Sequence, residues 1–240
     1  MITMFLQGGM FMYPLTACSI VALAIVVDRY LYLRSAAQEA DYVFHELEAL
    51  IEKNDVDGIE AFCQRSQGLL TGIFLAGVRK FKQLRDEPNL DFMQGEVNKM
   101  MEDASISNTV DLERRLPVLS TVGNVAPLFG FAGTVTGMMS AFEAIAATAN
   151  PTAQTVAAGI REALITTAAG LIIGIPSVLF YHYFTARIDY ITVRTEETAN
   201  GLVDMLVMNA VHARKRGTTG PRQETERSTN RAEGASDENR

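Results

Sequence analysis

Three stretches of this chain contain no Asp, Glu, Lys or Arg: Met1 to Val27, Pro117 to Phe142, and Ala163 to Ala186. Each is longer than the roughly 20 residues with which a helix crosses a bilayer. Three spanning helices is the simplest reading, and a soluble protein with three unusually long core helices is the alternative to it. Averaged over 240 residues the mean hydropathy is only +0.10, so polar segments dilute the apolar ones. No Lys or Arg precedes the apolar stretch of the first run, and no clear small-residue cleavage site follows it. It is therefore expected to be a retained anchor rather than a signal peptide.

Lys and Arg set the expected orientation. The segment before the first helix has none, and neither do residues 143–160; Arg34 to Leu116 has ten, and the chain after Ala186 has nine. This predicts an all-α membrane protein with three transmembrane helices and long helices extending into a cytoplasmic helical domain. The expected layout begins with a periplasmic N-terminus at 1–10, a first span at 11–33 and the cytoplasmic domain at 34–116. A second span at 117–147, a periplasmic loop at 148–158 and a third span at 159–185 come next. A cytoplasmic helix at 186–213 and a disordered tail at 214–240 complete it. The tail has almost no apolar residue to bury.

Within 34–116, "ADYVFHELEALIEKN" places Val43, Leu47 and Leu50-Ile51 on one helical face. Asp55 is placed to cap the short helix that follows. "GLLTGIFLAGVRKFKQL" is too short and too charged for a fourth span. From Asn89 the apolar residues Met93, Val97, Met100-Met101, Ala104, Leu112 and Leu116 predict one long helix continuing into the second span. Asp28 and Arg29 read as a solvated or snorkelling pair near the inner interface.

The net charge of −7 resides mainly in 34–116, with ten basic and sixteen acidic residues. That balance argues against a nucleic-acid partner. It also argues against a polybasic lipid patch, although Arg214-Lys215-Arg216 is placed to touch the headgroups of membrane lipid. Cys18 and Cys63 have no metal-ligand spacing, and no disulfide is expected between them. His45, His182 and His212 are far apart in sequence. No Walker, zincin or nucleophile-elbow motif occurs, so neither an enzyme nor a cofactor is expected.

The second and third runs are not uniformly Leu-rich. Gly130, Gly133 and Gly137 recur at helical steps, and Gly170 and Gly174 form a second small-xxx-small pair. Such residues let membrane helices approach closely. Thr134 and Thr166-Thr167 add hydroxyls that polarise a surface without charging it, although a buried Thr commonly bonds a carbonyl one turn back. Glu162 opens the third run, where an intramembrane acid is a functional candidate. Pro127 and Pro176 each remove a backbone bond and are candidate bends.

"NVAPLFGFAGTVTGMMSAF" and "GIREALITTAAGLIIGIPSVLFYHYF" together resemble the paired membrane signature of the MotA/TolQ/ExbB proton-channel family. Three spans with a large loop between the first two resemble its TolQ and ExbB branch. The resemblance implies a homopentamer in the bacterial inner membrane around two copies of a single-span ExbD- or TolR-like protein with an essential Asp. A TonB-like or TolA-like protein would take up the output. The resemblance also implies pore-facing roles for Thr134 and Thr167 and a proton-pathway role for Glu162. The residues themselves agree with the need for a partner, since no span carries an acid at its middle. Small side chains would leave room for an inserted helix, and hydroxyls would solvate its carboxylate. The drive would be the membrane potential, worth about 2.3 kcal/mol per charge per 100 mV. A non-conducting scaffold, a motility stator and a small secondary transporter stand as alternatives, the last disfavoured by three spans without half-helix repeats.

Overall fold

A computed structural model describes residues 8–66, 68, 70–85, 87–147 and 152–219. Among them are six α-helices and no strand: α1 (Met12–Glu52), α2 (Val56–Arg65), α3 (Thr71–Gln83), α4 (Leu90–Glu113), α5 (Leu116–Ala146) and α6 (Ala153–Thr219). Three of them, α1, α5 and α6, are long and apolar enough to cross a membrane. Their outward faces carry Ile20, Leu23, Leu128, Phe131, Ile172 and Leu179. So much exposed apolar surface is what lipid or a neighbouring apolar helix would cover.

The described residues form two compact units, one up to residue 38 together with 109–191, the other 39–108 together with the chain from 192 onward. In the first, Leu15, Leu119, Ala126, Ala163, Phe184 and Ile188 are buried. In the second, Phe44, Leu47, Ile59, Phe74, Val97 and Leu202 are buried. Asp55 caps α2 by accepting a hydrogen bond from the Gly58 amide at 2.8 Å, as its position in the sequence suggests. Lys82 on α3 pairs with Asp57 and Glu60 on α2, and Lys80 pairs with Glu96 on α4 at 2.8 Å. Arg194 on α6 reaches Glu48 on α1 at 3.1 Å.

Long helices run on from the spans, as expected, and four details of the helix boundaries change. The first span does not end as a helix near Leu33, because α1 continues to Glu52; "RSAAQEA" contains no Gly or Pro to stop it. The third span and the helix after it are one element, α6. That helix reaches Thr219, so 214–219 is helical rather than disordered, and the rest of the expected tail lies outside the described residues.

The fourth change is the most informative. The single helix expected from Asn89 through the second span is broken between Glu113 and Leu116. Arg115 takes the left-handed conformation, φ 80°, and Pro117 stands in the first turn of α5. A proline ring clashes with the carbonyl four residues earlier, which here belongs to Glu113, the last residue of α4. Arg29 is also not a snorkelling residue. Only 6% exposed, it donates from Nη1 to the Leu112 carbonyl at 3.3 Å, at the negative end of α4. Its Nε pairs with Asp28 at 3.2 Å, and Asp28 in turn holds Arg115 at 2.8 Å. The break is therefore tied to α1 by a charged network.

Candidate functional site on the α5–α6 pair

The small residues of α5 and α6 face each other. A Cβ added to Gly130 would lie 3.1 Å from the Thr166 carbonyl oxygen and 3.1 Å from the Thr167 Cα. At Gly137 it would lie 2.7 Å from the Gly159 oxygen, and at Gly170 it would lie 2.6 Å from the Ala126 oxygen. Gly133 abuts the Thr166 side chain, and Gly174 abuts the Pro127 ring at 2.6 Å. The antiparallel register thus pairs Gly130 with Thr167, Gly133 with Thr166, and Gly137 with the turn from Gly159 to Ala163. Two glycines of this lane, Gly123 and Gly159, escaped the sequence reading. Gly123 meets Val178, and Gly159 meets Ala141. The available signal was the seven-residue spacing of Gly123, Gly130 and Gly137, which is two turns of one face.

This packing changes the meaning of the lane. The room left by the glycines is filled by the chain's own helix, with Gly130, Gly133 and Gly137 buried in the interface. Any surface that faces a further helix must come from the flanks.

Thr134 and Thr167 lie on those flanks, both half-buried. Thr134 donates to the Phe131 carbonyl at 2.6 Å. Thr167 donates across the interface to the Gly130 carbonyl at 3.0 Å and within α6 to the Ala163 carbonyl at 3.1 Å. The two threonines are not bonded to each other. By the register Thr134 lies one turn from Gly130, hence about 5.4 Å along the axis from the level of Thr167. Glu162 is half-buried at the level of Gly137, about one turn further. The three residues thus stand at successive levels along one stretch of the helix pair. No Asp, Glu, Lys or Arg lies within it between Pro117 and Phe142 or between Ala163 and Ala186.

Thr166, adjacent to the predicted Thr167, is fully buried and donates to the carbonyls of Gly8 and Glu162 at 3.0 and 2.7 Å. No local pattern pointed to this contact with Gly8, because the two residues are 158 positions apart. Pro127 and Pro176 lie inside helices that run through them without interruption. Ser177 donates to the Ile173 carbonyl at 2.7 Å, beside Pro176. Among the described residues no group of three or more His, Cys, Asp or Glu is placed to hold a metal.

Residues 66–197, which include α5 and the part of α6 that packs on it, match the MotA/TolQ/ExbB proton channel family. The chain belongs to that family. The Tol-Pal system protein TolQ of Pseudomonas aeruginosa is 44% identical over 118 residues, covering 48% of this chain and 51% of that protein. The TolQ of Haemophilus influenzae is 34% identical over 183 residues, covering 74% of this chain and 78% of the relative. A biopolymer transport protein, exbB1 of Vibrio cholerae, is 27% identical over 201 residues, covering 81% of this chain and 83% of the relative. The chain thus spans about half of the first relative and most of the other two. Membership of the proton channel family, together with three membrane-capable helices, makes this a multi-pass membrane protein of the TolQ/ExbB-like branch.

Proposed function

We propose that the chain is the pore-forming subunit of an inner-membrane motor that couples the proton motive force to mechanical work at the cell envelope. The observation that carries this reading is the α5–α6 flank, where Thr134 and Thr167 supply hydroxyls at a level that has no ionised side chain. A proton crossing that level needs a titratable group, and in this reading a single-span ExbD- or TolR-like partner brings it. Five copies of the chain surround two partner helices. The N-terminus faces the periplasm, and the 34–116 segment and the end of α6 face the cytoplasm. Relatives named for the Tol-Pal system and for biopolymer transport support envelope maintenance or outer-membrane transport as the output, passed on through a TolA-like or TonB-like protein.

The hydrogen bonds give the flank a preference. Each threonine proton is engaged by a backbone carbonyl, but the hydroxyl oxygen keeps acceptor lone pairs. A protonated carboxylic acid or a water can donate to that oxygen. A carboxylate only accepts, so it gains nothing until the hydroxyl turns away from its carbonyl. The flank therefore favours the neutral partner acid, and loss of its proton toward Glu162 destabilises the acid there. Alternation between the two states moves the partner helix, driven by the membrane potential at about 2.3 kcal/mol per charge per 100 mV.

In cells, Thr167→Val and Glu162→Ala are expected to abolish work that depends on the proton motive force while assembly persists. In vesicles, voltage-driven acidification should require both this chain and its partner. Brisk acidification by this chain alone would refute the division of labour. A non-conducting scaffold is the second reading, favoured by the bonding of both threonine protons to carbonyls within the chain. It predicts full activity for both variants.

A further inference from the structure

The N-terminal approach to α1 closes over Glu162, and the mechanism above makes no use of it. Gly8 is buried and its carbonyl accepts from Thr166, which shares its one proton with the Glu162 carbonyl. Gly9 has φ +67°, in the left-handed region that side chains disfavour. A Cβ built on Gly9 would coincide with Glu162 Oε1 and would lie 2.7 Å from its Cδ and 3.2 Å from its Cγ. The Glu162 carboxylate thus occupies the space that any side chain at position 9 would need. The left-handed turn and the tie from Thr166 bring the chain to that place.

We infer that Gly9 is a positioning residue for Glu162: the Gly8-Gly9 turn, anchored by Thr166, leaves open the space that the carboxylate takes in the orientation from which it exchanges its proton. The inference rests on the proposed role of Glu162 in the proton path. Two features make the geometry more than a turn requirement. The glycine conformation alone would be met by Asn, which tolerates positive φ. The occupied space would not be, because Asn carries a Cβ. Thr166 ties Gly8 to α6 across 158 positions, one turn beyond Glu162.

The test compares Gly9→Asn, Gly9→Ala and Thr166→Val in the full chain, with Gly95→Ala as control because no heavy atom lies within 4 Å of a Cβ there. Each variant is first quantified in the membrane fraction. The near-isosteric Thr166→Val keeps the test alive if a position-9 variant does not accumulate. The first readout is the infrared carboxyl band of the chain in lipid vesicles, assigned to Glu162 by its loss in Glu162→Gln. The band is expected to shift in all three variants and to stay in place in Gly95→Ala. The second readout is cellular work driven by the proton motive force, expected to fall at least about tenfold, within the roughly hundredfold that an ångström of misplacement can cost. An unmoved band together with wild-type activity in Gly9→Asn and Thr166→Val would overturn the inference. If Glu162→Gln itself kept full activity, the proposed role of Glu162 would fail, while the band shift would still decide whether Gly9 positions the carboxylate.

Discussion

Gly137→Ala is the sharpest test of the α5–α6 packing. The added methyl would stand 2.7 Å from the Gly159 carbonyl oxygen, 2.9 Å from the Ala163 nitrogen and 3.0 Å from the Ala163 Cβ. Two of these are backbone atoms of α6, so no side chain can rotate away, and the helices must separate. Restoring ordinary contact, near 3.4 Å, from 2.7 Å needs about 0.7 Å of separation. A gap of about 0.5–1 Å forfeits a quarter to a half of each dispersion contact. That loss would spread along the lane from Gly123 to Gly159. Overpacking of this kind costs about 1–3 kcal/mol, against the gain of about 0.8–1 kcal/mol that Gly→Ala brings to an open helix interior. Gly95→Ala supplies that open reference, since nothing lies within 4 Å of the added carbon. The assay is helix loss followed by circular dichroism as denaturing detergent is titrated into the purified protein in mild micelles. Gly137→Ala should unfold earlier than wild type and Gly95→Ala slightly later. Equal stability of the two variants would refute the close approach of the helices.

Two further predictions concern the remaining structure. Arg29→Met keeps most of the buried volume but leaves the Leu112 carbonyl without its side-chain donor, at a cost of about 1–3 kcal/mol for an unsatisfied buried group, and faster amide exchange around Arg115 would register the loosened break. In the helical unit outside the spans, hydrogen bonding and charge from Lys82 hold the Asp57 carboxyl below its ordinary value, and Lys80 does the same for Glu96. Their stabilisation is therefore present above the unfolded carboxyl values of 3.8 and 4.5 and is lost as pH falls through the lower folded values. The hydrogen bonds that Lys82 donates to Asp57 and Glu60 raise its pKa, so its contribution is present below 10.5 and lost as pH rises through the folded value. Asp57 and Lys82 are exposed and Glu60 and Glu96 only half-buried, so the effects are small; acid titration of stability in Lys82→Met should show a shallower decline than in wild type, and an unchanged slope would count against the pairing.

The sequence by itself determined the three spans, because uncharged runs of that length leave a helix in lipid as the simplest solution, and the same segments carried the motifs of the family. It also determined local features that depend on neighbours in sequence, such as the Asp55 cap and the seven-residue glycine spacing. Long-range contacts were not legible. Nothing in "QGGMF" names Glu162, and nothing in "VDRY" names the Leu112 carbonyl, since such pairings arise only when distant segments are brought together. The break at Arg115 needed both levels: Pro117 forbids the continuous helix, while Asp28 and Arg29 from α1 stabilise the left-handed residue that replaces it. The tertiary structure likewise decided that the glycines receive α6 and that the threonine protons are already engaged. Periodicity fixes which residues share a face, but only packing decides what that face meets.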